Sequence, residues 1–388
     1  TGSSATSQND GILHNGGFPI IFNNNEILKF NAGIRSTTDA ANNSVSTDYS
    51  TIANNNIYNL DGTTASDGDG IYLGVASASP TLKLSHDYKL IISGNSITGY
   101  QSAAINIESH AEVICRFNDI GEGDGVAGDT GISVGLSDGL GATDCYINGN
   151  YIHDMELPAG AKYPILINGG SGSKIYGNIL KNIDNGTGTN GMILDFQSGN
   201  TDGESWIYNN TFIDMQGDYL IRITNSAYCT IHFYNNVVYG CTVDQNRFYV
   251  DDPDIQLHYG YNLFQEGLPS DSNGSPESIL IDGGGNITGN PLLRDDYSLS
   301  AASQCIGAGT TPLSETDYHG RYRKTDSSDI GAVWYSATED STDEAASKIS
   351  HTLIKTITLG TADDVYIAMP WACKVTRIDS VIDGALTG

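Results

Sequence analysis

Asp195, Arg222 and Asp251 follow one another at intervals of 27 and 29 residues, each in a short stretch that alternates apolar and polar side chains. If such stretches are strands stacked one above the next, their outward positions form rows with neighbours ~4.8 Å apart. Superposing the apolar pairs Ile165/Ile167, Met192/Leu194, Ile221/Ile223 and Phe248/Val250 puts Ile193, Arg222 and Tyr249 in one row and Asp195, Thr224 and Asp251 in the next. Arg222 then lies between two carboxylates on adjacent coils, with Tyr249 beside them. Carboxyl groups two rungs apart, ~9.6 Å, suit glycoside hydrolysis with inversion, which uses roughly 6.5–9.5 Å. Alternatively, the arginine or a tyrosine could abstract a proton beside a uronic acid carboxylate, with Ca²⁺ neutralising the acid. An exposed Asp–Arg–Asp ladder that only offsets like-charge stacking uses the same three residues.

A second constellation is aromatic. Two further outward rows read Tyr146, Lys174, Trp206, His232, His258 and Arg116, Asn148, Tyr176, Tyr208, Tyr234. An exposed strip of this composition could stack sugars, form a contact with another subunit, or simply stabilise itself. His232 and His258 have no third ligand at matching spacing, so no metal constellation is expected. The acidic turns "SDGDG" (66–70) and "GEGDGVAGD" (121–129) could hold Ca²⁺ through carboxylate and backbone oxygens. Solvated turns explain them more simply.

The elements that must position these residues are repeats. Phrases such as "LIISGNSITGY", "CYINGNYIHDM", "SKIYGNILKNI" and "SWIYNNTFIDM" align on Asn55, Asn95, Asn118, Asn150, Asn178, Asn210, Asn236 and Asn262. Two residues after each stands an apolar side chain, from Ile57 to Phe264. Between consecutive asparagines lies a second alternating phrase, such as "AAINIES" or "YLIRITN". Period-two alternation marks half-buried strands, and no unit carries a 3.6-residue pattern. Short strands recurring in one order without helices stack most simply as coils of a parallel β-helix. Each asparagine is then expected at a bend, in the left-handed conformation asparagine tolerates. Its amide would bond to the next coil's asparagine, making Asn95, Asn118, Asn150, Asn178, Asn210, Asn236 and Asn262 a structural ladder.

Bulk composition agrees. The 388 residues include 46 glycines but only 10 prolines, and charged residues make up 16%, a mix suited to strands and polar turns. With 18 Lys and Arg against 46 Asp and Glu, the net charge of −28 repels nucleic acid phosphates and excludes DNA or RNA binding as the main role. No apolar run approaches the ~18 residues that span a bilayer, so membrane insertion is not expected. The N-terminal "TGSSATSQND" does not read as a signal peptide. Six cysteines show no CxxC pairing, which leaves zinc and dithiol redox chemistry unsupported. A Cys229–Cys241 disulfide is conceivable.

With these phrases in hand, the chain resembles the right-handed parallel β-helix, or pectate-lyase-like, superfamily. The segment "GNPLLRDDYSLSAASQCIGAGTTPLSETDYHGRYRKTDSSDIGAVWY" (289–335) looks like the closing segment of many bacterial and phage β-helix proteins. Its marks are Gly289–Pro291, Tyr297–Leu299, Ile306–Gly309, Asp317–Arg323 and Asp329–Ala332. Such a segment is expected to cover the open end of the coil stack, whose strand edges would otherwise invite aggregation. The C-terminal stretch is similar to the start of a β-sandwich segment in tailed-phage virion proteins, through Val365, Tyr366, Pro370, Lys374–Ile378 and Ser380–Gly384, with Cys373 where a glycine is usual. Such a sandwich would continue past Gly388.

The reading is therefore all-β: a right-handed parallel β-helix with a small C-terminal β-sandwich-like segment. The segments are an N-terminal cap (1–50), coils (51–288), a closing segment (289–335), a linker (336–350) and a partial sandwich for attachment (351–388). The resemblance implies a phage virion surface protein, of the tail-spike, fibre or head-decoration kind, located on the virion or outside the cell. Its partners would be surface polysaccharide or other virion subunits, and a homo-oligomer, a trimer by analogy, is implied. The alternatives are a polysaccharide lyase or glycoside hydrolase using Asp195, Arg222 and Asp251, and a structural adhesin or filament subunit. Contact with glycan or subunit would fall to Tyr176, Trp206, Tyr208, Tyr234, His232 and Tyr249.

Overall fold

A computed structural model describes residues 10–15, 20–28, 30, 32–38, 49–60, 68–75, 89–108, 112–123, 130–135, 145–156, 163–168, 172–184, 192–197, 203–217, 219–223, 229–243, 248–250, 255–269, 279–311, 316–321 and 328–336. Among them are no helices. Strands of two to seven residues form three long sheets of 9, 10 and 11 strands, and every ladder between them is parallel. Successive turns give strands to the first, second and third sheets in that fixed order; the last turn adds a described strand only to the second and third, and the short Thr242–Val243 strand is an extra member of the third. Asp10–Asn15, Ile21–Asn23 and Glu26–Leu28 open the first, second and third sheets, and Phe248–Val250, Ile279–Asp282 and Ile287–Thr288 end them. The protein is a parallel β-helix. Rungs already begin at Asp10, within the stretch read as a cap, because "NNNEI" (23–27) repeats the later asparagine phrase. The linker beyond residue 336 and the expected sandwich (351–388) lie outside the described residues.

Alternation decides what faces inward. On the second sheet Ile52, Ile92, Cys115, Ile147, Ile175, Ile207, Phe233 and Tyr259 stand above one another in register and are all buried. Each isoleucine removed from water contributes about 1.5–3 kcal/mol, so the stack is a continuous axial core. Cys115, Cys145 and Cys305 are buried free thiols within it or beside it, and Cys241 is buried as well. The Cys229 side chain, and with it the conceivable pairing to Cys241, lies outside the described ones.

The asparagine ladder is present and longer than expected. Nδ2 of Asn25, Asn55, Asn95, Asn118, Asn150, Asn178, Asn210, Asn236 and Asn262 donates to Oδ1 of the next member at 2.8–3.2 Å, ending on Asn286. The backbone N–H of each donor residue meets the same oxygen at 2.8–3.0 Å. From Asn55 to Asn262, Nδ2 also donates to a strand carbonyl of the preceding coil, such as Ile147 O at 2.8 Å from Asn178. Burial without penalty requires this complete satisfaction.

One part of the expectation is corrected. The left-handed residue at the bend is not the ladder asparagine but the one before it: Asn24, Asn54, Gly94, Phe117, Gly149, Gly177, Asn209, Asn235, Tyr261 and Gly285, with φ from +53° to +70°. The labour is divided because the ladder amide must line up along the axis, leaving the reversal to its neighbour. Where that neighbour is aromatic, the next coil answers with glycine. A Cβ on Gly149 would fall 2.6 Å from the Phe117 ring, and one on Gly285 2.4 Å from Tyr261.

The closing segment does not simply cover the end of the stack; its described contacts run back along the outer face of the third sheet. Leu299, Cys305 and Ile330 pack on Val237 and Leu263, and Ala332 and Val333 on Ile179. Gly331 N–H donates to Asn235 O (2.8 Å), Ala332 N–H to Thr211 Oγ1 (2.9 Å) and Asn209 Nδ2 to Asp329 O (3.0 Å). The motif acids hold the segment's own turns. Asp329 accepts from Gly307 and Tyr335 N–H at 2.8 and 2.7 Å. Asp317 takes both Nε and Nη2 of Arg321 at 2.8 and 2.7 Å.

Candidate functional site

The first-sheet trio is placed only in part. The register runs Leu166, Asp195, Arg222, Tyr249 across four strands. Asp195 thus lies in the arginine's own row, where Ile193 was expected. The slip is two residues: Leu194 and Phe196, instead of Met192 and Leu194, stand opposite Ile221 and Ile223. Met192, Leu194 and Phe196 all share one face, so alternation alone allows either placement. The Arg222 guanidinium lies over the Tyr249 ring at 6.0 Å. Asp251 lies outside the described residues, so the proposed pair of carboxylates flanking Arg222 is not assembled among them.

The second-sheet rows form as read. Tyr146, Lys174, Trp206, His232 and His258 are successive strand partners, as are Arg116, Asn148, Tyr176, Tyr208 and Tyr234. Tyr176 and Tyr208 stack at 5.0 Å and 1°, Trp206 and His232 at 3.8 Å and 12°, and His232 contacts His258 at 5.2 Å. Stacking along the axis uses up the ring faces. Tyr208 is buried, and Tyr176, Trp206, His232 and Tyr234 are half-buried. An incoming ligand therefore meets ring edges and polar tips more than open faces, which corrects the picture of a strip on which sugars lie flat. Burial pulls the His232 pKa below its ordinary value, against the opposing pull of Glu204. Glu204 sits 3.6 Å from Nε2, too far for a hydrogen bond, so the imidazole is neutral near pH 7.

A third cluster was not anticipated. On the third sheet, His153 Nε2 bonds Asp119 Oδ1 (2.8 Å) and Nδ1 bonds Asp154 Oδ2 (2.7 Å), while Asn182 Nδ2 donates to Asp154 Oδ1. Its ring stacks on Tyr151 at 4.1 Å and 18°, whose hydroxyl meets Tyr297 Oη of the closing segment at 2.8 Å. Burial alone would lower the His153 pKa, but the two carboxylates outweigh it and hold the imidazole above its usual range. Hydrogen bonds from Asn182 and His153 hold Asp154 below the ordinary carboxylate range. With both ring nitrogens occupied, this imidazolium is a strut between coils, not a free base. The signal was the "NYIHDM" phrase itself (150–155): the residue after a ladder asparagine points outward, so Tyr151 and His153 share one face with Asp119.

The Ca²⁺ turns fall mostly outside the described residues. Asp69 is described and fully buried; it accepts from Ala103 N–H (3.0 Å) and Asn106 Nδ2 (3.2 Å). Burial pushes its pKa up to about 7, and its bonds to Ala103 and Asn106 anchor the neighbouring strand. No group of three or more His, Cys, Asp or Glu side chains suited to a metal ion occurs among the described residues. No protein-family model matches this chain, and no curated protein matches it.

Proposed function

We propose that this protein engages polysaccharide with the outer face of its second sheet. The observation that carries the reading is the pair of adjacent rows, with polar-tipped aromatic and cationic side chains repeated at each coil from Tyr146 to His258. An extended polymer offers hydroxyls at a regular period, and a flank whose donors recur every ~4.8 Å can bind many units in one register. Such binding takes its strength from repetition of modest contacts. The resemblance of 289–335 and of 365–384 to phage β-helix and virion segments supports a place on a virion surface, as a tail spike, fibre or decoration protein. Neighbouring virion subunits and copies of the chain itself, as a trimer, would be further partners there.

Titration of purified protein with surface polysaccharides, by calorimetry, tests the reading. Trp206→Ala and Tyr234→Ala are expected to weaken binding roughly ten-fold or more. Unchanged affinity in both variants would remove this face as the site. Reducing or unsaturated ends appearing in the same mixtures would instead favour a lyase or hydrolase built around Asp195 and Arg222.

A further inference from the structure

Carboxylates outnumber cationic side chains by 46 to 18 in this chain, so a lysine or arginine without an acidic partner is unexpected. Arg35 pairs with Asp10 and Arg321 with Asp317. Two cations on the second-sheet face do not follow suit. Among the described residues, no carboxylate lies within ion-pair distance of Lys174 or Arg116. Each is held by an aromatic ring instead: Lys174 Nζ lies 5.6 Å from the centre of the Tyr146 ring and the Arg116 guanidinium 5.9 Å from that of Phe117. A ring steadies a cation without neutralising it. Arg116 is exposed and Lys174 half-buried, so both keep charge and donors available on the outer surface.

Their placement is regular. Arg116, Asn148 and Tyr176 follow one another in one row, while Tyr146 and Lys174 are partners in the adjacent row. The two cations are thus two coils apart, roughly 10 Å along the axis, with the half-buried Tyr146 and Tyr176 on the coils between and beside them. Glu112 and Glu204 stand at the far edge of the face, two residues before Ile114 and Trp206. The net charge of −28 acts weakly here, since charges beyond ~8 Å are screened at physiological salt.

Resting on the glycan reading above, we infer that this face selects acidic polysaccharides, with Lys174 and Arg116 receiving carboxylates on sugar units about two coils apart. Guanidinium and ammonium groups make charge-assisted hydrogen bonds to carboxylates that neutral hydroxyls cannot match. The phenols between them serve the intervening hydroxyls.

Binding of polygalacturonate, alginate and polysialate is compared with neutral dextran for the wild type, Lys174→Met, Lys174→Arg, Arg116→Met and Trp206→Ala. At least one acidic polymer should bind about ten-fold or more tighter than dextran, with affinity falling as salt rises. Lys174→Met and Arg116→Met should each remove about ten-fold of that preference without moving the melting temperature, and Lys174→Arg should retain it. Trp206→Ala should weaken acidic and neutral polymers alike. A preference unchanged in both methionine variants, or equal binding of dextran, overturns the inference while leaving the glycan face standing. Failure of every polymer to bind the wild type overturns both.

Discussion

Two parts of the third sheet share one ladder and one register yet present different outer surfaces. The residue after each ladder asparagine forms a single outward row: Glu26, Asn56, Ser96, Asp119, Tyr151, then Ile179, Thr211, Val237, Leu263, Ile287. The first four are polar. Tyr151 stands at the boundary, and apart from Thr211 those after it are apolar. The change falls where the closing segment arrives, with Tyr297 and Tyr318 packed by Tyr151 and Ala332 on Ile179. Outward rows thus report what lies over them, whereas inward rows stay largely apolar along the whole stack, with buried serines such as Ser36, Ser50 and Ser205 as exceptions.

The comparison breaks most readily at what both parts share. Asn178→Leu, under the closing segment, leaves Asn150 N–H and Nδ2 without their acceptor, and Asn95→Leu does the same to Asn55. Each should lower unfolding free energy by about 3–5 kcal/mol, measured by chemical denaturation. A much smaller loss for Asn95→Leu would show that the ladder is not equally important in both parts. Next in size, Val237→Asp places a charge under the closing segment and should lose about 3 kcal/mol, with early proteolysis near 289–335. Ser96→Asp, in the same row on the other part, should stay within about 0.5 kcal/mol. Equal effects would contradict the division.

Gly149→Ala should cost about 1–2 kcal/mol, from its positive φ and the Phe117 ring. Adding Phe117→Ala should recover part of that loss, and simple additivity would remove the ring as a cause. The smallest effect concerns the boundary. His153 has a raised pKa, so its stabilising contribution is complete below the unfolded value near 6.5 and is lost as pH rises through the folded one. The more than half-exposed aspartates keep this below about 1 kcal/mol. Melting followed from pH 6 to 9 should show the decline, and His153→Gln should flatten it.

Much of this architecture was legible from asparagine spacing, because a buried amide with four bonding positions tolerates few neighbours. Legibility failed where two arrangements satisfy the same pattern. Met192, Leu194 and Phe196 all fit inward, so the register of Asp195 was misplaced by two. Both residues of an "NN" or "GN" pair accept a bend, so the left-handed role went to the wrong one. The His153 strut was missed because histidines were weighed only along the second sheet. The closing segment was expected at the open end, although the switch from Asp119 to Ile179 already marked the covered flank.

The ladder has a directional consequence. Every linked side-chain amide presents one N–H toward the following coil and its oxygen toward the preceding one, so the Nδ2–Oδ1 links all point the same way along the axis, and each bond polarises the next. The donor end of this aligned array does not open to solvent unmatched: Asn286 Nδ2 donates to the Asp282 carboxylate at 2.8 Å. A formal negative charge thus terminates the electropositive pole, much as an acidic side chain does at the start of an α-helix.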